Sequence, residues 1–158
     1  EALADNSPGV LVTIGTKKRF STGFDLPYWS KGQVNLLSST ARMQEFLSRL
    51  VRLHLPKLCV FNGHAYAGGL LLGLCHDYII MTDNAKAKVC LNEINLGMVP
   101  LPGYLWIAFH SLKPSTRRIV MLGAVLTPQK SKQLEIVNEL YSNQEELMNH
   151  IAGFAKQF

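Results

Sequence analysis

The segment at residues 68–75, GGLLLGLC, is the most restrictive feature of this sequence, because a helix built from it is apolar on every side. Such a helix has to be buried between two layers of secondary structure. Three short apolar runs with the composition of buried strands surround it, at residues 10–14, 58–61 and 78–81. Short buried strands that alternate with helices are typical of α/β architecture with a largely parallel sheet.

Helical periodicity predicts a helix that covers this sheet. Within residues 36–55, Met43, Leu47 and Leu50 fall on one face, while the other face carries arginines and a glutamate. Pro56 ends this helix, because proline disfavours helical backbone in the residue before it.

The region after residue 103 is predicted to be helical. Helices are expected at residues 104–112, at residues 115–122, after Thr127-Pro128 and after a capping box, SNQE, at residues 142–145. The chain has 158 residues, which is typical of a single domain. We therefore expect one domain with an α/β core over residues 1–103 and a helical part over residues 104–158.

The composition excludes several classes of protein. With 47% hydrophobic and 17% charged residues the chain can bury a core, so disorder is not expected. Sixteen Lys and Arg against eleven Asp and Glu give a net charge of +5, which suits a phosphate-bearing ligand and falls short of the basic stripe of a nucleic-acid-binding protein. The basic triplet at residues 17–19 fits either a ligand contact or a solvated turn between strands.

The three cysteines, Cys59, Cys75 and Cys90, predict an intracellular protein. They are odd in number, lack C-x-x-C spacing and lie in apolar runs, so reduced core thiols are expected. No apolar run is long enough for a membrane span, and the first residues do not resemble a signal or transit peptide.

Glu93 is an isolated acid within the apolar run VCLNEINLG at residues 89–97. An unpaired buried carboxylate costs several kcal/mol. Glu93 is therefore either a solvated residue at the edge of a strand or a group kept for chemistry.

Two glycine-containing segments offer backbone N–H groups to a ligand. Gly68-Gly69 lowers helix propensity at a helix start, where free N–H groups stabilise an anion; close packing against a strand is the alternative. Residues 20–29, FSTGFDLPYW, are predicted to be a loop in which Gly23 permits a turn and Pro27 discourages a helix. With Glu93, these segments describe a pocket with two donors and one base.

Three motifs in order and spacing resemble the crotonase (enoyl-CoA hydratase/isomerase) superfamily. They read FSTGFDL, NGHAYAGGLLLGLCHDYIIMTDNAK and LNEINLGMVP, and they most closely resemble the Δ3,Δ2-enoyl-CoA isomerases of that superfamily. The resemblance is clear over residues 10–122 and weaker over residues 133–141. It implies a crotonase-like spiral of ββα units with C-terminal helices, through which trimers assemble.

The resemblance also implies a site. The N–H groups of Phe24 and Gly68 would form an oxyanion hole for the thioester oxygen of an acyl-CoA, and Glu93 would be the catalytic residue. Hydratases of the family have a second glutamate at the position of Leu71, so its absence favours isomerisation by a single proton shuttle. Substrate contacts are expected at Lys18, Ser21, Gly23, Asp25, Leu26, Ala67, Gly69, Leu71 and Asn92. No metal and no cofactor are expected, because the substrate itself carries coenzyme A.

Other polar and aromatic residues receive simpler interpretations. Asp77 is expected to tie its loop to backbone donors, and Asp25 to cap a turn. His64 and His76 lack metal-ligand spacing and are expected to be satisfied loop or core histidines. Tyr104 and Trp106 fit either an acyl tunnel or the core equally well.

The sequence departs from the family at both ends, which leaves alternatives open. The resemblance implies further strands before residue 10 and further helices after residue 158, so we expect a fragment or a reduced relative. A non-catalytic, crotonase-like structural subunit of a larger mitochondrial assembly is therefore the main alternative; an enoyl-CoA hydratase and a nucleic-acid-binding relative are less favoured. As an enzyme the protein is expected to form a homotrimer or a hexamer of trimers, or to join a larger complex, in the mitochondrial matrix or, slightly less favoured, the peroxisome.

Overall fold

Two parallel sheets form the centre of the structure, a computed structural model that describes residues 9–16 and 18–158. The first sheet, in the order β1-β3-β5-β7, consists of β1 (Leu11–Ile14), β3 (Lys57–Phe61), β5 (Tyr78–Thr82) and β7 (Glu139–Tyr141). The second, in the order β2-β4-β6, consists of β2 (Arg19–Ser21), β4 (His64–Tyr66) and β6 (Val89–Cys90). All neighbouring strands within these sheets pair in parallel.

Helices follow the strand pairs. They are α1 (Leu26–Trp29), α2 (Gln33–Val51), α3 (Gly68–Leu74), α4 (Pro102–Ser111), α5 (Pro114–Met121), α6 (Pro128–Gln133) and α7 (Gln144–Ala155), with a 3₁₀ helix at Ile94–Leu96. Each of β1, β3 and β5 is followed by one strand of the second sheet and then by helical structure. This spiral of ββα units confirms the predicted α/β fold.

The buried position of α3 is confirmed. Six of its seven residues are buried, and Leu70 and Leu71 are fully inaccessible to solvent. Gly73 lies so close to the ring of Phe61 on β3 that a β-carbon there would overlap the ring. The small residues of α3 therefore allow the helix to pack directly on the sheet.

The prediction of a loop at residues 20–29 was wrong at both ends, which belong to a strand and a helix. Phe20 and Ser21 belong to β2, and the Asp25 carboxylate caps α1 by accepting the Tyr28 N–H at 3.1 Å. Pro27 lies in the first turn of α1, where its missing N–H has no intrahelical partner to lose. Asp25 is thus the turn cap that the sequence predicted.

The C-terminal part was only partly as predicted. It contains strand β7, which pairs with β5, besides the expected helices. The cap of α7 is Asn143, whose side chain accepts the Glu146 N–H at 2.9 Å, and the Glu146 carboxylate accepts the Ser142 N–H at 2.7 Å. The capping box therefore lies one residue later than the sequence indicated, because the reciprocal acid is Glu146 rather than Glu145.

Several structural expectations for individual side chains are confirmed. Cys59, Cys75 and Cys90 are buried free thiols, and burial raises the pKa of each. Asp77 accepts the Lys57 N–H at 2.7 Å and pairs with the Lys57 ammonium at 3.2 Å, so it ties its loop to β3. Of the helices in the described part of the chain, none is long and apolar enough to span a membrane.

Candidate active site

A mainly apolar cavity of about 330 Å³ lies where the three sequence motifs meet. Phe24 and Leu26 line it from the first motif, Ala67 from the second, and Asn92 and Glu93 from the third. The first two turns of α2 and the segment at residues 96–104 complete the wall. The structure therefore brings five of the predicted site residues to one cavity.

Glu93 is held in this wall by a short turn. Its carbonyl accepts the N–H groups of Leu96 and Met98 at 3.0 and 2.9 Å, and the turn ends at Gly97 in left-handed conformation (φ +68°). Asn95 fixes the turn to the end of α5 by donating to the Gly123 carbonyl at 3.1 Å. These bonds hold the turn that carries Glu93.

The Glu93 side chain is a buried carboxyl with one oxygen left unpartnered. It is 6% exposed, and its Oε2 has no hydrogen-bond partner among the described residues. Removal from water disfavours the charged form and raises the pKa of this carboxyl. A carboxylate with a raised pKa is a stronger base, so Glu93 is not a solvated edge residue.

Gly23 and Gly68 bring the two predicted backbone donors together. Gly23 has φ +89°, which favours glycine, and a β-carbon on Gly68 would stand 3.7 Å from the Gly23 Cα. Within the described chain, the N–H groups of Phe24 and Gly68 donate to no protein acceptor. The Gly68 N–H is free because it opens α3 and so has no intrahelical acceptor.

Ala67 precedes Gly68 in a strained conformation. Its φ of 49° and ψ of −124° are rare for a residue with a β-carbon and cost about 1 to 3 kcal/mol. The Ala67 N–H donates to the Cys90 carbonyl at 2.9 Å, and the Ala67 carbonyl accepts the N–H of Leu70 and Leu71. These bonds hold the strained peptide, and with it the orientation of the Gly68 N–H.

Tyr104 is a cavity residue for which the sequence left two interpretations open. It is 5% exposed and lines the Glu93 cavity from the first turn of α4. Trp106 is half-exposed, stacks on His110 and does not line this cavity. Unpartnered buried oxygens of Tyr104, Asn92 and Glu93 therefore share one cavity.

The other predicted contacts lie away from the lining. Ser21, Gly23, Gly68 and Gly69 form the packed backbone behind the cavity, where a β-carbon on Gly69 would stand 2.5 Å from the Ser21 carbonyl oxygen. Lys18 and Asp25 are exposed, and Lys17 lies outside the described residues. The substrate contacts assigned to these residues stay predictions.

Leu71 is not at the substrate-facing position that we expected. It is fully buried in the core, one helical turn after Ala67, and it does not line the cavity. The wall is formed instead by residues that the sequence did not single out, among them Trp29, Leu36, Leu37 and Leu101. Their only signal was apolar character next to the motifs.

The two histidines discussed above differ in their surroundings. His76 is buried and its ring nitrogens contact the Leu72 carbonyl at 2.9 Å and the Thr13 hydroxyl at 2.8 Å, as expected of a satisfied core histidine. His64 packs its ring on Tyr66, and its Nδ1 is without a partner in the described structure. No group of three or more His, Cys, Asp or Glu in residues 9–16 and 18–158 is arranged to hold a metal ion.

Comparison with known proteins identifies the family. The sequence profile of the enoyl-CoA hydratase/isomerase family matches residues 1–158, and the chain belongs to this family. Enoyl-CoA delta isomerase 3 of Arabidopsis thaliana is 30% identical over 136 residues, which cover 82% of this chain and 56% of that protein. Carnitinyl-CoA dehydratase of Salmonella enteritidis is 30% identical over 148 residues, which cover 93% and 56% of the two chains.

A solved structure shows the same fold. An enoyl-CoA hydratase/isomerase family protein from Pseudomonas syringae superimposes with a TM-score of 0.86 at 23% identity, over 94% of this chain and 64% of that one. The chain spans a little over half the length of the curated relatives it matches.

Proposed function

We propose that this member of the enoyl-CoA hydratase/isomerase family is a Δ3,Δ2-enoyl-CoA isomerase that acts on unsaturated fatty acyl thioesters. Glu93 removes a proton from C2 of a 3-enoyl-CoA, and the electron pair moves into the thioester carbonyl to give a dienolate. The same carboxyl then gives the proton to C4, and the double bond comes to lie between C2 and C3. Neither a metal ion nor a redox cofactor takes part in this sequence of steps.

One observation carries this proposal: Glu93, a single buried carboxyl with an unpartnered oxygen, shares a cavity wall with the loop that holds the Phe24 N–H. The Gly68 N–H belongs to the peptide that follows the lining residue Ala67, and it lies against Gly23. Fixed donors directed at a developing oxyanion supply about 3 kcal/mol each in a site that excludes water. Burial of Glu93 raises its pKa and so matches it to proton abstraction.

The absence of a second acid in the lining favours isomerisation over hydration. Hydration needs two carboxylates to hold and activate a water, and the described lining residues include Glu93 as their one acid. The position of the second family glutamate is occupied by Leu71, which is fully buried. Water in this cavity is therefore neither held nor polarised for addition.

Two other functions were considered, a dehydratase and a structural subunit. The 30% identity to carnitinyl-CoA dehydratase favours water elimination as a second candidate. A structural subunit would have no need of an open cavity, whereas about 330 Å³ stays unfilled beside Glu93. The open cavity supports an enzyme rather than a scaffold.

The test compares two substrates and two variants. The parent protein is incubated with a 3-enoyl-CoA and with a 2-enoyl-CoA, and double-bond migration is followed against hydration. Glu93→Gln should lower isomerisation by about 10² to 10⁴-fold. Glu145→Gln, an exposed change of the same type in α7, should leave it unaltered. Isomerisation within a few-fold of the parent in Glu93→Gln would contradict the single-base mechanism.

A further inference from the structure

Tyr104 and Glu93 approach the same cavity from different segments. Tyr104 stands in the first turn of α4, where its N–H donates to the Leu101 carbonyl at 2.9 Å and Pro102 begins the helix. Glu93 stands in the turn after β6. Both side chains are more than nine-tenths buried, so neither can take its hydrogen bonds from bulk solvent.

Both oxygens lack a protein partner in the described structure. The Tyr104 hydroxyl is a donor that makes no hydrogen bond, and Glu93 Oε2 is an acceptor that receives none. Leaving such atoms unpaired in a buried site is unfavourable. Hydrogen bonds of active sites are often long in the absence of a ligand and shorten when the complex forms.

The surroundings of Glu93 offer few other groups that could serve. Among the described titratable residues, Tyr104 on α4 and Cys90 on β6 interact electrostatically with Glu93. The Cys90 thiol is directed elsewhere, since it donates to the Gly123 carbonyl at 3.4 Å. Burial raises the pKa of Tyr104 to about 12, which keeps the phenol protonated and able to donate at neutral pH.

We propose that Tyr104 is a positioning residue whose hydroxyl donates to the Glu93 carboxylate when a ligand fills the cavity. The bond holds one carboxylate oxygen, so that the other oxygen faces C2 and C4 of the acyl chain in turn. It forms to the charged carboxylate and weakens when that carboxylate has taken up the proton. This role rests on the proposed isomerase function, although the hydrogen bond itself does not.

Tyr104→Phe tests the proposal because it removes one oxygen and keeps the ring. The variant should lose about tenfold in kcat with little change in KM, and the acid limb of its pH profile should move upward by about one pH unit. Tyr141→Phe is the matched control: Tyr141 is also buried and its pKa is raised to about 12, by burial alone. An acid limb that stays in place in Tyr104→Phe would overturn the proposal.

A second measurement separates this proposal from the isomerase function. With the parent protein in D₂O, saturated acyl-CoA should exchange its C2 proton, because exchange needs the base and the oxyanion donors but no double-bond migration. The pKa of the Glu93 carboxyl, read by ¹³C NMR with saturated acyl-CoA bound, should be higher in Tyr104→Phe than in the parent. If the parent neither isomerises nor exchanges, the proposed isomerase function fails. The hydrogen bond between Tyr104 and Glu93 is then judged by NMR alone, and an equal Glu93 pKa in both proteins refutes it.

Discussion

The backbone of Gly23 lies against the backbone of Gly68, since a β-carbon on Gly68 would stand 3.7 Å from the Gly23 Cα. The two residues are 45 positions apart in the chain; Gly23 precedes the predicted donor Phe24, and Gly68 is itself the second predicted donor. A β-carbon on Gly23 would stand 2.9 Å from the Ala67 Cβ, which is too close, whereas the 3.7 Å at Gly68 is an ordinary van der Waals distance. Close packing against a strand, the alternative for Gly68-Gly69, is found at Gly69, where a β-carbon would stand 2.5 Å from the carbonyl oxygen of Ser21 on β2; the ligand-facing role of the Gly68 N–H stays a prediction.

Gly23→Ala should damage the site more than the fold. A β-carbon there would stand 2.9 Å from the Ala67 Cβ and 3.4 Å from the Gly68 nitrogen, at a φ of +89° that disfavours alanine. We expect isomerisation to fall by about 10² to 10³-fold, as for loss of an oxyanion donor, and the unfolding free energy by about 1 to 2 kcal/mol.

Gly32→Ala is the matched control for this change. Gly32 also has a positive φ, +144°, but a β-carbon there would meet nothing within 4 Å. Its activity should stay close to that of the parent, although its stability falls. Equal losses of activity in both variants, measured with 3-enoyl-CoA and by urea unfolding, would contradict the role of the Gly23–Gly68 contact.

Glu93→Gln should stabilise the protein at neutral pH. Burial raises the pKa of Glu93 in the folded state, so the folded chain binds this proton more tightly than the unfolded chain. The contribution to stability is complete below the ordinary pKa of glutamate and is lost as pH rises through the raised pKa. Glutamine does not ionise and escapes this loss.

Urea unfolding at about pH 4 and pH 7.5 measures this difference. Parent and Glu93→Gln should be similar at the acid pH, and the variant should be the more stable at the neutral pH. A variant that is less stable than the parent at neutral pH would mean that the Glu93 carboxylate is held by a cation in the folded protein.

Asp77→Ala should lower stability without altering the site. The change removes the acceptor of the Lys57 N–H and the partner of the buried Lys57 ammonium, which keeps its bonds to the Leu53 and Leu55 carbonyls. We expect a loss of about 1 to 2 kcal/mol in unfolding free energy. Activity per folded molecule should be unchanged, and a loss of activity at full folding would contradict this purely structural assignment.

The cap of α7 distinguishes the structure from the sequence pattern. Asn143→Ala should cost about 1 kcal/mol, because Asn143 accepts the Glu146 N–H. Ser142→Ala should cost less, since the Ser142 hydroxyl makes only an exposed bond to Asp83 and the Ser142 N–H still reaches Glu146. Thermal unfolding of both variants measures these losses. A larger loss in Ser142→Ala than in Asn143→Ala would support the capping box at Ser142.

The elements that sequence predicted well are those with long or unbroken apolar patterns. The run at residues 58–61 and the leucines of α3 allowed only buried structure, and both were found in the core. The strands β4 and β6, with three and two residues, are too short to show a period of two. They exist because they pair with neighbours that are distant in sequence.

The residues of the site could likewise be predicted only where they carry a local sequence signal. Glu93 carries such a signal as a lone acid in an apolar run. The two glycine segments carry one because their glycines leave backbone N–H groups accessible. Tyr104 has no such signal, because an aromatic residue in an apolar helix fits the core equally well. Its place at the cavity depends on how α4 packs against α2, which is a tertiary contact: a β-carbon on Gly103 would stand 3.2 Å from the Gln44 side chain.

Tyr104 also separates the Glu93 cavity from a second, larger space. That space, about 720 Å³, lies between α2 and α4 and is lined by Leu47, Val51, Ile107 and also by Tyr104. Tyr104→Ala should join the two spaces and shift the preference of the enzyme toward longer acyl chains. The ratio of kcat/KM for a long and a short 3-enoyl-CoA should rise by about tenfold, since a few buried methylenes are worth more than 1.4 kcal/mol.

In Tyr104→Phe, which keeps the ring, the ratio should stay near that of the parent, whatever happens to the absolute rate. An unchanged ratio in Tyr104→Ala would show that acyl chains leave the Glu93 cavity by another route.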